Sequence, residues 1–133
     1  MIVVDTSVLI DYLRGESTPA IEVFRALEQQ QTPYKIPTLC CQELLQGCRD
    51  DASWNRLDRD LATQRLLPLE GVWRQHRDAA RIYFDCRRRG ITVRSMTDCL
   101  IAQQVLDVDG ILLHDDQDYE RIREVRPLRT MTG

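Results

Sequence analysis

The sequence predicts an α/β domain with a mainly parallel sheet, on three observations. Short apolar runs alternate with helical stretches along the chain. The first run, Ile2-Val3-Val4, is continuously apolar, as befits a strand buried on both faces. No repeat, low-complexity tract or Gly, Pro or Ser-rich linker interrupts the alternation, and 133 residues fit one compact domain over 1–133.

Each element follows from local chemistry. After the first strand a helix is expected from Thr6 to Arg14, stopped by Gly15. Thr18 is the expected N-cap of a second helix reaching about Gln30, with Pro19 in its first turn. Tyr34 to Pro37 reads as a strand, and Thr38 as the cap of a helix through Gln46, ended near Gly47. Asp50 to Gln64 reads as helix and Leu66 to Leu69 as a strand, with Pro68 tolerated at a sheet edge. A long helix is expected from Val72 to Arg89, stopped by Gly90. Ser95 to Leu106 is another helix, Ile111 to Leu113 a strand, Asp116 to Glu124 a short helix and Leu128 to Met131 a last strand.

Composition excludes several classes. Hydrophobic and charged fractions of 43% and 29% are ordinary for a globular chain, and no stretch approaches the roughly 18 apolar residues of a membrane span. Met1 to Asp5 lacks the basic and long apolar regions of a signal peptide. Five cysteines, without Cys-x-x-Cys or matching His spacing, signal neither a zinc site nor a disulfide framework. Free thiols in a reducing cytoplasm, packed as small core residues, are the expectation. The net charge of −3 argues mildly against a grip on nucleic acid by bulk charge, but carboxylates kept for a cation would mask a local basic patch.

Acids stand where chemistry would use them. Asp5 ends a strand and precedes a helix, at the carboxyl edge where open parallel sheets bind ligands; capping that helix is the plainer role. Ile111 to Asp118 repeats the arrangement, with Asp115, Asp116 and Asp118 exceeding what one cap needs. Asp98, Ile101, Ala102 and Val105 follow the i, i+3, i+4, i+7 spacing of a buried stripe. Glu43 borders an apolar face with Leu39, Cys40 and Leu44. Either acid could instead skirt its stripe and reach water. A carboxylate aimed at a core is costly unless paired or bound to metal. Acids with few nitrogen or sulfur neighbours suit hard cations such as Mg²⁺ or Mn²⁺.

At these residues the sequence resembles the PIN-domain family, and within it the VapC-type toxins of toxin–antitoxin pairs. The matching pieces are Asp5-Thr6-Ser7-Val8-Leu9-Ile10-Asp11, Gln42-Glu43-Leu44-Leu45-Gln46-Gly47, Thr97-Asp98-Cys99-Leu100-Ile101-Ala102 and the stretch from Leu112 to Ile122. No piece is specific alone; the four in this order span nearly the whole chain. The resemblance implies a three-layer α/β/α sandwich and a Mg²⁺- or Mn²⁺-dependent endoribonuclease that hydrolyses RNA. It also implies a VapB-type antitoxin as partner and a homodimer. Asp5, Glu43 and Asp98 match three acidic site residues, and Asp116 matches the fourth. Asp5, Asp98 and Asp116 are the expected metal ligands. Thr6, Ser7 and Asp118 support them, and Asp115 and Asp118 compete for the fourth place. Two positions depart from the family pattern: His114 where Thr is common, and Tyr119 where Phe is commoner.

The long helix offers a candidate RNA surface. At about 100° per residue, Val72, His76, Ala79, Tyr83 and Cys86 form the expected inward stripe, with Arg74, Arg77, Arg81 and Arg88 opposite. Arg87, Arg88 and Arg89 are the expected phosphate contacts, while Arg74, Arg77 and Arg81 fit a solvated face. Rivals fit less well. A receiver domain needs a Lys near its last strand, and the one Lys is Lys35. A dehalogenase-type phosphatase needs Asp where Ser7 stands, and a Toprim nuclease needs Glu where Asp5 stands. A PIN-like RNA-binding module with an idle site, or a general nuclease without a toxin role, are the remaining alternatives.

Overall fold

The computed structural model describes residues 1–131. In chain order the elements are β1 (Ile2–Val4), α1 (Thr6–Leu13), α2 (Pro19–Gln29), β2 (Tyr34–Pro37), α3 (Thr38–Gln46), α4 (Asp51–Ala62), β3 (Leu66–Leu67), α5 (Val72–Arg88), α6 (Met96–Asp107), β4 (Ile111–Leu113), α7 (Gln117–Ile122) and β5 (Arg129–Met131). All four strand pairings are parallel, in the order β3-β2-β1-β4-β5. Ile2, Val3 and Val4 lie opposite Ile111, Leu112 and Leu113, so the two most apolar strands form the centre. β3 is two residues long at the sheet edge, shorter than the four expected, with Pro68 just beyond it.

The order fixes the layers. From β1 the chain steps outward to β2 and β3, then crosses back over β1 to β4 and β5. Parallel crossovers are right-handed, so reversing the direction of travel puts later helices on the opposite face. The packing agrees: α1 contacts α2 and α3, and α3 contacts α4, whereas α5, α6 and α7 contact one another. The result is an α/β/α sandwich. Its core joins Val3, Val4, Leu112 and Leu113 of the sheet to Ile21, Phe24, Ile82, Ile101 and Val105 of the helices, all nearly or wholly buried.

Several helix starts follow their chemistry, while Pro37, Gly71 and Ser95 take N-cap places without a side-chain bond. Thr18 accepts from the Ile21 N–H and Asp50 from the Ser53 N–H, each satisfying a first-turn donor. Thr38 is not a cap. Pro37 ends β2 in extended conformation and takes the N-cap place without a side-chain bond, so Thr38 is already helical. Gly90, at φ +73°, turns the chain after α5 in the left-handed region that glycine enters without strain.

The α5 stripe is rotated from the expected one. Its buried residues are Gln75, Ala79, Ile82 and Cys86, while Val72, His76 and Tyr83 are exposed. A polar residue holds the inward place because its polar atoms are satisfied: Gln75 Nε2 donates to Asp107 Oδ2 at 2.8 Å and its Oε1 accepts from the Glu70 N–H at 2.8 Å. All five cysteines are free, and four are buried. Burial pushes the Cys40 and Cys99 thiols well above the usual thiol range, so both behave as core residues. No helix among the described residues is long and apolar enough to cross a membrane.

Candidate active site at the carboxyl edge of the sheet

The central pair β1 and β4 forms the switch point of the sheet, because the connections leaving them run to opposite sides. Side chains just past their carboxyl ends share one crevice. Asp5 follows β1 and Asp116 follows β4. The Asp5 N–H donates to the Leu113 carbonyl at 3.0 Å, extending the ladder by one bond. Asp5 also caps α1, the plainer of its two roles. Its Oδ2 accepts from the Ser7 N–H at 3.0 Å and the Ser7 hydroxyl at 2.7 Å. Ser7 Oγ in turn accepts from the Asp115 N–H at 2.9 Å, tying the loops after β1 and β4 together. Asp5 Oδ1 accepts from the Tyr119 hydroxyl at 2.6 Å, with Cys40 Sγ at 3.7 Å. Asp5 is 4% exposed, so capping and facing the crevice are compatible roles.

Asp98 stands in the first turn of α6, and that helix is buried continuously from Asp98 to Val105. Its carboxylate is 8% exposed. Oδ1 lies 3.3 Å from the Tyr119 hydroxyl, and Oδ2 is buried with no hydrogen-bond partner. Burial, followed by the charges of Asp5, Asp116 and Asp118, pushes the Asp98 carboxyl up to about 8. Asp98, Asp116 and Asp118 each present an oxygen within 4.8 Å of the other two. A buried carboxylate lacking a donor and facing like charges calls for a cation.

The region after β4 separates its acids. Asp115 is exposed and directs its N–H to Ser7. Asp116 is half-buried and caps α7, Oδ1 accepting from the Asp118 N–H at 2.9 Å. Asp118 is 2% exposed and already occupied: Oδ1 accepts from Arg121 Nη1 at 2.8 Å and Oδ2 from the Arg94 N–H at 3.0 Å. It therefore fastens the segment before α6 to α7 while bordering the crevice. Glu43 departs from expectation, being exposed rather than core-facing. It leans across the crevice, with Oε1 accepting from the Thr6 hydroxyl at 3.2 Å. Partial burial and then the charge of Asp5 raise its carboxyl above the ordinary range.

Two residues that stand out in the sequence only as departures from a pattern organise the site. Tyr119 is wholly buried with its hydroxyl between Asp5 and Asp98. His114 is 1% exposed; its Nδ1 accepts from the Asp116 N–H at 3.1 Å and its Nε2 faces Glu120 Oε2 at 2.8 Å. Those partners assign the tautomer protonated on Nε2. Its ring packs at 5.0 Å against that of Tyr119. Asp118, Tyr119 and Ile122 form the buried face of α7, so a phenol points inward beside three acids.

The residues present fit a divalent cation. The cluster holds carboxylate oxygens without imidazole or thiolate, and Asp98 Oδ2 lacks any protein donor. Hard divalent ions take such donor sets. The arginines are not joined to these acids as one group. Arg74, Arg77 and Arg81 are ion-paired with Asp78, Asp107 or Asp85. Arg89 donates to the Glu124 carbonyl at 2.6 Å. Arg87 and Arg88 are exposed and lie over the rings of Tyr83 and Phe84.

Known proteins resemble this chain in sequence and fold. The PIN domain family matches residues 2–125. A VapC ribonuclease of Mycobacterium bovis and Ribonuclease VapC11 of Mycobacterium tuberculosis are each 33% identical over 130 residues, covering 97% of this chain and 96% of theirs. VapBC2 from Rickettsia felis, solved bound to a DNA fragment from its promoter, shares the fold with a TM-score of 0.76. The identity there is 13%, with 100% of this chain and 99% of that one covered. A match running from the first strand past the last helix, joined to relatives a third identical over nearly their whole length, assigns this chain to the PIN-domain family.

Proposed function

We propose that this chain is a divalent-metal-dependent endoribonuclease, the toxin of a type II toxin–antitoxin pair, hydrolysing RNA phosphodiester bonds at the crevice beyond β1 and β4. The observation that carries the reading is Asp98 Oδ2, buried without a donor among like charges. The ribonuclease names of the relatives support RNA as the substrate class. The fold neighbours include a VapBC complex of a toxin–antitoxin family and a toxin–antitoxin complex, which supports a VapB-type partner, while a homodimeric toxin rests on the family resemblance alone.

Asp98 and Asp116 are the acids with oxygens free to hold Mg²⁺ or Mn²⁺, and Asp5 sits beside them with its orientation fixed by Ser7 and Tyr119. Such an ion, when bound, acidifies a coordinated water and offsets charge gathering on the phosphoryl and leaving oxygens. The chain's own groups set the geometry. Thr6 restrains Glu43, leaving its second oxygen to orient a water at the exposed side of the crevice. Ser7 locks the two loops that carry Asp5 and Asp116. Asp118, neutralised by Arg121, holds α7 against the segment before α6. Arg87 and Arg88 are the candidate phosphate contacts.

The test offers RNA and DNA oligonucleotides to wild type and Asp98→Asn, with Mg²⁺, Mn²⁺ or a chelator. We expect metal-dependent cleavage of RNA alone, reduced at least about a hundredfold in the variant, roughly 2.7 kcal/mol of barrier. Cleavage that survives the chelator, or full activity in a folded Asp98→Asn chain, contradicts the proposal.

A further inference from the structure

We infer that Tyr119 is a positioning residue of the acidic crevice, its hydroxyl holding Asp5 and Asp98 in the mutual orientation that a divalent cation requires. The inference rests on the metal-site reading above and goes beyond it by naming what sets the acids. Tyr119 is wholly buried. Its two polar neighbours are Asp5 Oδ1 at 2.6 Å and Asp98 Oδ1 at 3.3 Å, carried by elements 93 residues apart in sequence. A phenol has one proton, and the shorter contact takes it. Asp5 Oδ1 is thereby committed to Tyr119 and Oδ2 to Ser7, so the Asp5 carboxylate cannot rotate freely.

On the Asp98 side, the phenol oxygen lies against Oδ1 and leaves Oδ2 as the oxygen without a partner. With its proton given to Asp5, the phenol acts on Asp98 by filling the space beside Oδ1, so the edge of Asp98 left without a protein neighbour to bond is that of Oδ2. The tyrosine is itself held. Its ring packs against His114, whose Nδ1 accepts from the Asp116 N–H, so one aromatic pair reaches Asp5, Asp98 and Asp116 together. Groups that hold ligating carboxylates from behind change metal affinity by about 10- to 100-fold when removed.

The test is Tyr119→Phe, which removes the hydroxyl and keeps the ring. Mn²⁺ binding is titrated on the intact chain by the loss of the free-ion paramagnetic resonance signal, with folding checked by circular dichroism. The control is Ile122→Val, which loosens the same buried face of α7 without touching a carboxylate. We expect Tyr119→Phe to raise the Mn²⁺ dissociation constant about tenfold or more, and the control to leave it unchanged. Equal affinity in Tyr119→Phe and wild type overturns the inference while leaving the metal site standing. Equal weakening in both variants also overturns it, since packing then explains the loss. Wild type that binds no Mn²⁺ overturns the metal-site reading and this inference with it. A second measurement needs no variant. With 3-fluorotyrosine in the wild-type chain, Mg²⁺ should shift the fluorine resonance of Tyr119, the one wholly buried tyrosine of four. Four unshifted resonances under saturating Mg²⁺ overturn the positioning role.

Discussion

Asp98 carries strong electrostatic tension in the crevice. Burial first, and then Asp5, Asp116 and Asp118, raise its carboxyl from the ordinary 3.8 to about 8. Between those values the folded chain holds a proton that the unfolded chain has released. Stability of the metal-free protein therefore falls as pH rises across that window and levels off above it. Glu43, also raised, acts in the same direction. We expect the thermal midpoint of metal-free protein to drop between about pH 5 and pH 8, with Asp98→Asn flattening the profile. A profile equally steep in the variant would remove Asp98 as the cause. His114 shows a different dependence on its surroundings. It is buried because both ring nitrogens have partners, so His114→Ala should strand the Asp116 N–H and lower stability by about 1–3 kcal/mol in denaturant titration. The sequence marks His114 as an oddity but cannot reveal its partners, since the bond to Glu120 depends on how α7 folds back.

Among elements, the α5–α6 contact shows where periodicity succeeds and where it fails. α6 is legible because Asp98, Ile101, Ala102 and Val105 repeat at helical spacing, and all four are buried. On α5 the stripe expected from periodicity lies about 50° round the helix, roughly a seventh of a turn, from the buried one. Its apolar residues are too few to outvote one another, and the deciding residue is a glutamine whose partner, Asp107, lies 32 residues away. Asp107 gathers donors from Arg74, Gln75 and Gln103 at the end of α6. Burial raises its carboxyl, but the three bonds outweigh that and lower it overall. Its contribution is therefore present above the ordinary carboxylate range and is lost in acid, as pH falls through the lowered value. Asp107→Ala should cost about 1–3 kcal/mol, mostly by leaving the buried Gln75 amide unpaired. A change within error in urea titration would show that the contact is ornamental.

Across the whole molecule, strand order makes the site. Asp5 and Asp116 lie 111 positions apart in sequence, and only the adjacency of β1 and β4 brings their loops together. Apolar runs make the strands legible, and the family resemblance makes their acids conspicuous. The choice among Asp115, Asp116 and Asp118 cannot be read from spacing, because it depends on Arg121 and the Arg94 N–H occupying Asp118. Net charge does not report local patches at this scale. The chain is acidic by −3, yet Arg87 and Arg88 stand exposed on one helix end without a carboxylate partner among the described residues. Replacing both with Ala should reduce the salt dependence of single-stranded RNA binding, by a log–log slope of about 0.7 for each phosphate no longer neutralised; an unchanged slope would move the RNA surface elsewhere.

Whether the crevice is a cation site built around Asp98 is decided by calorimetric titration of Mn²⁺ into wild type and Asp98→Asn. Saturable binding in wild type that is abolished in a folded Asp98→Asn chain is the predicted result. Equal binding in both chains would contradict it.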